Sequence, residues 1–571
     1  MNRKLKRLVT VVLSLSMAMG LLFACGKKTE APEKSGEAAP SNSEAPAVPE
    51  PGAPSADGKY DPMIKLTSVR AISDPMQKYI DKQSDVLTKN IWFDAYRDEL
   101  GIDVSYDWTA PGAQYDEKLN QQIAAGDLPD IFRCNAAQLK QLADKGMIAD
   151  LTDVFKEYAS DFTREMMEAG DNIALSQATI NGRLMALPNV NSAVDNTAMW
   201  WVRKDWLDKL GKKVPTNMQE LEDLALAFAK EDPDGNGQDD TYGLGLNKDF
   251  TAVTGLGTID AFAQGYHAYV GGAWLEKDGK KVYGGIQPEV KTALAALAKL
   301  YSEGAIDKEF MVKDQSKLSE DIVAGKVGLV NGMHWHAFGP MPQLITEGSK
   351  AEWLPFGVVS ADEKPVKVME NSSTDGFWVV NVDCKNPEAA VKLYNYYYKK
   401  DPAVSPDFDP KFHGNADGDP ENNPPGETYW WALCQTFYPR QNLFIHEGVM
   451  KYFDGDKSVL DNYWIKDNAE SCEAFKKGDL TKAGSYLWSG PGGAFSVIKK
   501  YVDDGSLIVN AYMQASTDSM MKYNATLDQA TVETFTKIIM GEDGVDAFDG
   551  YVENWQKLGG DKITQEVNAA Q

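Results

Sequence analysis

Cysteine is scarce: five in 571 residues, and the first, Cys25, ends an apolar run. The other four, Cys134, Cys384, Cys434 and Cys472, are far apart and form no Cys-x-x-Cys pair, which argues against zinc. Their even number leaves two disulfides or four thiols open. There are only five histidines. His334 and His336 form His-x-His, but no third local ligand follows and there is no His-Glu-x-x-His, so metal catalysis of that kind is not expected. Basic residues are outnumbered, 58 Lys and Arg against 84 Asp and Glu, for a net charge of −26. A phosphate-backbone binder usually carries the opposite sign, so nucleic acid is not an expected partner. Gly-x-Ser-x-Gly is absent. The glycine-rich Ser489-Gly490-Pro491-Gly492-Gly493 lacks the Lys-Ser/Thr of a phosphate loop. A glycosidase needs two positioned carboxylates, and among 84 acidic residues a pair can always be imagined, so the count discriminates nothing. The chain reads as no enzyme.

What is present is ample core material, 43% hydrophobic and 10% aromatic residues, in a length that suits roughly two to four domains. Residues 1–25 read as a secretory signal: Arg3, Lys4, Lys6 and Arg7, then an apolar run over 8–24. Its end, Leu22-Phe23-Ala24-Cys25-Gly26, is similar to a bacterial lipobox, whose cysteine is acylated and becomes the new N-terminus; a plain signal with a chance cysteine is the alternative. Several acyl chains give the anchoring that one alone cannot. Residues 27–59 contain no aromatic residue and are rich in Ala, Pro, Ser, Gly and Glu. Such a stretch buries too little to offset its ordering entropy. Residues 26–60 therefore read as a disordered tether to a membrane. No later segment is a convincing transmembrane helix.

Beyond the tether, the pattern alternates between periods. Residues 64–72 and 102–108 alternate as strands, with a helix expected over 75–100 and stopped by Gly101. Helices are expected at 114–125, 136–145, 204–210, 217–230, 288–303, 387–399, 528–540 and 545–558. Strands are expected at 130–132, 200–203, 326–331 and 377–382. Strands alternating with helices point to α/β layers with parallel sheet. Residues 401–427, rich in Pro, Asp, Asn and Gly, read as an irregular insertion.

Several blocks are also informative together: Ala125-Gly126-Asp127-Leu128-Pro129-Asp130-Ile131, Leu187-Pro188-Asn189, Arg203-Lys204-Asp205-Trp206-Leu207-Asp208-Lys209-Leu210-Gly211, Asp232-Pro233-Asp234-Gly235-Asn236-Gly237 and Gly304-Ala305-Ile306-Asp307. With Ala324-Gly325-Lys326-Val327-Gly328 and Asp546-Ala547-Phe548-Asp549-Gly550-Tyr551, their order and spacing resemble the extracellular solute-binding protein family one, in its large Gram-positive lipoprotein branch. The resemblance spans about 65–568. It implies an α/β, two-lobed periplasmic-binding-protein-like fold of type II, with a hinge and an interlobe cleft. It implies a monomeric, membrane-anchored extracellular receptor of an ABC importer, working with permease subunits and capturing an oligosaccharide by hinge closure. A secreted glycan-active enzyme or an adhesin is the alternative from another class; a peptide or polyol receptor is the alternative within the fold. Crossings between lobes are expected near 193–197, 370–375 and 510–516. The first lobe would hold 60–195 and 375–512, the second 196–374 and 513–571.

Site candidates follow from residue chemistry and this resemblance. Asp232, Asp234, Asn236, Gln238 and Asp240 fall at positions 1, 3, 5, 7 and 9 of a calcium loop with Gly237 at position 6. Position 12 is Gly243 rather than Glu, so the loop is not a full EF-hand. A structural Ca²⁺ is expected, an acidic turn without metal being the alternative. Sugars stack their C–H faces on flat rings and bind hydroxyls through amides, carboxylates and Arg. Trp335, in Gly332-Met333-His334-Trp335, resembles a family turn that places an indole in the cleft, with His334 sharing that place. Trp108, Trp200, Trp378, Trp430 and Trp431 are further ring candidates; Trp200 and its neighbour Trp201 point to opposite faces, so at most one reaches the cleft. Trp92, Trp206 and Trp555 fall in helices and are expected in the core. Arg133 and Asn135 follow a strand at the sheet edge where open α/β sheets bind ligands. Asn191 and Asp375 lie near the expected crossings. For these four, a solvated loop is the alternative.

Overall fold

The computed structural model describes residues 58–168, 173–370, 374–401, 403–413, 428–514 and 516–569. Cys25, the signal segment and all of the tether before residue 58 lie outside these residues, as does 414–427 of the expected insertion. Two groups of strands organise the rest. In the first, Ile64–Ile72 pairs in parallel with Ile102–Pro111, Ile64 opposite Ile102. Beside them, Thr374–Val380 runs antiparallel between Ile131–Cys134 and Leu187–Val190. Asp130 ties the two together: its Oδ2 accepts the Thr67 N–H at 2.8 Å and the Thr67 hydroxyl at 3.1 Å. The helix Glu388–Lys400 covers this group with a run of buried tyrosines, and Trp92 stacks on Tyr397 at 5.2 Å.

The second sheet has the order Trp353–Phe356, Met199–Arg203, Val327–Gly332, Tyr242–Gly245. Its two central strands are buried along their whole length, because helices cover both faces. On one face pack Met218–Lys230, Pro288–Ser302 and Asp518–Met540. On the other pack Gln441–Phe453, Tyr463–Lys476, Ala483–Ser489 and Ala494–Asp503. Gly243 lets helix Met218–Lys230 approach its strand: a Cβ there would lie 1.8 Å from the Ala225 carbonyl oxygen.

Several expectations are corrected. The sheets are mixed rather than parallel: Val327–Gly332 runs parallel to Tyr242–Gly245 but antiparallel to Met199–Arg203. The helix expected over 75–100 is broken into Asp74–Ile80, Ile91–Ala95 and a π-helical turn Tyr96–Leu100. The polar run between them ends at Asn90, whose Oδ1 accepts the Trp92 and Phe93 N–H groups and starts a new helix. The helix expected from 528 begins at Asp518, capped by the Thr517 hydroxyl.

The chain passes between the two groups of strands through the 3₁₀ turn Ala193–Asn196, and again between Val368–Glu370 and Thr374–Val380. Residues 371–373, within the second of these places, are outside the described residues. A third passage runs through 435–442 instead of 510–516. There Phe437 N–H donates to Val190 O at 2.9 Å and Asn442 Nδ2 donates to Asp195 Oδ2 at 2.7 Å. Residues 443–498 then pack on the second sheet, not in the first lobe to which the sequence division gave them. Leu507–Val509 and Asn510 also stay with second-lobe residues, pairing with Val368–Glu370 and with Trp274.

All four described cysteines are free thiols. Burial raises each above the usual range, Cys384 and Cys472 to about 11. Among the described residues no helix is long and apolar enough to cross a membrane.

Candidate functional site

A cavity of about 640 Å³ opens where the first passage, the third passage and the helices after it meet. Met333, closing strand Val327–Gly332, leads into the 3₁₀ turn His334–Phe338, which presents two rings: Trp335 is 37% exposed and Phe338 56%. Both line the cavity, facing Tyr429, Tyr438 and Trp464. Polar groups alternate with the rings: Asn191, Gln441, Asn442 and Asn468. Such a wall offers apolar faces to C–H groups and amides to hydroxyls.

His334 lines the same cavity as a buried ring whose neutral form burial favours. Its Nδ1 accepts the Trp488 indole N–H at 2.8 Å, which leaves the proton on Nε2. Burial, then the neighbouring His336, depresses it to about 3; burial depresses His336 to about 4, with its Nδ1 accepting the Met333 N–H. Nε2 of His334 lies 4.0 Å from Asp195 Oδ2, and burial pushes Asp195 up to about 7. Both shifts oppose the charged forms, so burial disfavours an ion pair between these two lining residues. His413, also in the wall, sits between Tyr429 and Trp464 with ring centroids 4.8 and 4.4 Å away and bonds the buried Asp401 carboxylate.

Two smaller cavities, about 470 and 320 Å³, adjoin each other on the first lobe and share Tyr115, Arg133 and Asp375. Arg133 pairs with Asp375 at 2.9 Å, and its side chain lies against Gly376, where a Cβ would be 2.9 Å from Nε. Trp378 and Trp430 line the smaller cavity. Gln514 lines the larger one, and Lys140 bridges to Asp518 at 3.3 Å.

The structure therefore brings Trp335, His334 and Asn191 to one cavity, and Arg133, Asn135, Asp375, Trp378 and Trp430 to the other two. Asn135 spends its side chain as a helix cap, in a reciprocal pair with Gln138. Three candidates are not in a cleft. Trp200 is fully buried in the core and stacked on Phe356, because both central-strand faces are covered; Trp201 fills the opposite face. Trp431 is 2% exposed and packs edge-on to Tyr79. Trp108 is half-buried beside the cavities, its indole donating to Gln122 at 2.7 Å with Lys118 over the ring. Trp92, Trp206 and Trp555 are core, as expected. Sequence reading missed Phe338, Tyr429, Tyr438, Trp464 and Trp488, most of which sit on segments whose folding partner is distant in sequence.

In the 232–240 loop, the oxygens follow the expected spacing and Gly235 and Gly237 have φ of +79° and +77°. Asp234 Oδ2 and Asp240 Oδ1 both accept from Asn236 Nδ2, at 2.7 and 3.1 Å, so these two carboxylates converge on one point. Asp232 is turned to the Gly235 and Gly237 N–H groups. Among the described residues no three His, Cys, Asp or Glu side chains gather as a metal-holding group. The oxygen-only donor set and glycine-permitted turn nonetheless suit a hard cation.

A family model for the bacterial extracellular solute-binding protein matches residues 72–404. The chain belongs to that family. Lipoprotein LipO of Bacillus subtilis is 24% identical over 490 residues, covering 82% of this chain and 86% of LipO. The fructooligosaccharide ABC transporter substrate-binding protein FusA of Streptococcus pneumoniae is 30% identical over 234 residues, 38% of this chain and 41% of FusA. The crystal structure of an EF-hand mutant of FusA from S. pneumoniae, in complex with fructo-nystose, superposes with a TM-score of 0.61 at 16% identity, covering 89% of this chain and 98% of that one. The two-lobed fold of solute-binding proteins is thus shared.

Proposed function

We propose that this chain is a lipid-anchored receptor on the extracellular face of a Gram-positive cell membrane, which captures an oligosaccharide and delivers it to an ABC permease. The observation that carries the reading is the wall of the 640 Å³ cavity: exposed Trp335 and Phe338 set among amides, at the passages between lobes. The name of FusA supports a carbohydrate, and that of LipO supports a lipid anchor at Cys25. A ligand touching both lobes favours the closed form by its differential affinity, without making or breaking a bond. The chain acts as a monomer and as a binding protein, not an enzyme.

Calcium belongs to the same reading. Asp232, Asp234, Asn236 and Asp240 would hold it through side-chain oxygens and Gln238 through its carbonyl, bracing the loop rather than touching sugar. The EF-hand variant of FusA supports it. A thermal-shift screen of the chain against oligosaccharides, with and without EDTA, tests both parts. A glycan that raises Tm and is recovered intact is the expected result; a glycan consumed would replace the receptor by an enzyme. EDTA is expected to lower Tm and calcium to restore it; an unchanged Tm removes the metal.

A further inference from the structure

We propose that the 320 Å³ cavity on the first lobe is a carboxylate subsite that takes a uronate unit of an acidic oligosaccharide. The inference rests on the receptor reading above and names its substrate class. Arg70, on strand Ile64–Ile72, lines this cavity and is only 9% exposed. Its guanidinium donates to neutral oxygens alone: Tyr106 hydroxyl at 3.1 Å, Ala432 carbonyl at 2.7 Å and the Trp430 carbonyl. It makes no ion pair with a described carboxylate, and its Nε has no hydrogen-bond partner. A buried charge without a counter-ion is unfavourable, so the cavity beside it is a place that an anion would stabilise.

A second guanidinium faces the same space. Arg133 holds Asp375, whose side chain is 71% exposed, and the Asp375 carbonyl. An exposed pair of this kind is weak and salt-screened, so an incoming carboxylate can take the place of Asp375. Bidentate recognition of carboxylate is what a guanidinium does best. The remaining wall suits the rest of a sugar ring. Asn189 and Trp378 border the cavity, and the half-buried Trp430 lines it as well. On a chain of net charge −26, these two local guanidiniums offset the general repulsion of an acidic ligand.

The test is titration calorimetry of the full chain in detergent with trisaccharides of galacturonate, glucuronate and mannuronate, each beside its methyl ester, and with neutral fructan and glucan oligosaccharides. At least one acid is expected to bind tenfold or more tightly than its ester, with affinity falling as NaCl rises. Arg133→Gln is expected to remove that preference, bringing the acid-to-ester affinity ratio to about one. Asp375→Asn, which deletes the competing carboxylate, is expected to tighten the acid several-fold. An ester or neutral glycan that binds as well as every acid overturns the subsite and leaves the receptor standing. Acid binding unaffected by both variants overturns its placement. Silence from every sugar overturns the oligosaccharide reading along with it.

Discussion

Two neighbouring classes of tryptophan separate binding from folding at the residue scale. Trp335 is part-exposed in the cavity wall, whereas Trp200 is fully buried under Phe356. Trp335→Ala is expected to weaken glycan affinity by about 10- to 100-fold with little change in Tm. Trp200→Ala is expected to cost about 3–5 kcal/mol of stability, read by denaturant unfolding. Asp260 gives a titration prediction. Burial pushes it up to about 7, one oxygen bonded to Gln264 at 2.8 Å and the other without a partner. Between about pH 4 and 7 the unfolded chain has lost this proton and the native chain keeps it, so the group lowers stability as pH rises, by about 1.4 kcal/mol per pH unit. His334 and His336, neutral when folded, act oppositely between about pH 4 and 6.5, losing stability as pH falls. The advantage of Asp260→Asn over the native chain should therefore grow from pH 4 to 7 in parallel melting curves; an unchanging difference would contradict a raised carboxyl. At this scale Trp335, Arg133 and Asp375 were singled out from local features, a turn and strand edges, and all three line cavities. Trp200 and Trp431 were not separable from them, because what covers a ring is set by distant segments.

At the scale of elements, local chemistry marked many boundaries. Gly101, Gly126 and Gly211 end their helices in the left-handed region, as their positions after apolar-periodic runs imply. What the pattern does not carry is which sheet a helix joins. Residues 441–503 hold four helices, yet only the burial of Leu443, Val449, Phe495 and Ile498 beside Trp201 and Val330 shows that they complete the second sheet. Strand direction was equally hidden, since alternation has the same period in parallel and antiparallel sheet. Gly243 is an element-scale test. The Ala225 carbonyl leaves no space for a Cβ, so Gly243→Ala must push helix Met218–Lys230 from its strand. It is expected to destabilise by about 1–3 kcal/mol, measured as a lower urea midpoint; an unaltered midpoint would contradict the close packing.

For the whole molecule, the resemblance carried by scattered blocks gave the two-lobed class; the blocks fall on helices such as Lys204–Leu210 and Ala547–Trp555 as well as on turns and strand starts. It did not give the division of the chain, because the helices from Gln441–Phe453 to Ala494–Asp503 carry none of those blocks and were apportioned by family outline. The first passage, Ala193–Asn196, and the third, through 435–442, lie side by side and both border the main cavity. Closure about them is expected to shrink the radius of gyration on ligand addition, seen by solution scattering; Lys140 and Asp518, which already bridge at 3.3 Å, would remain in contact.

The central claim is capture without chemistry. Titration calorimetry of the full chain with the oligosaccharide panel, followed by analysis of the recovered glycan, tests it most directly. The account predicts saturable binding at one ligand per chain, weakened by Trp335→Ala, with the glycan returned intact. A shortened glycan, or no binding heat from any sugar, would contradict it.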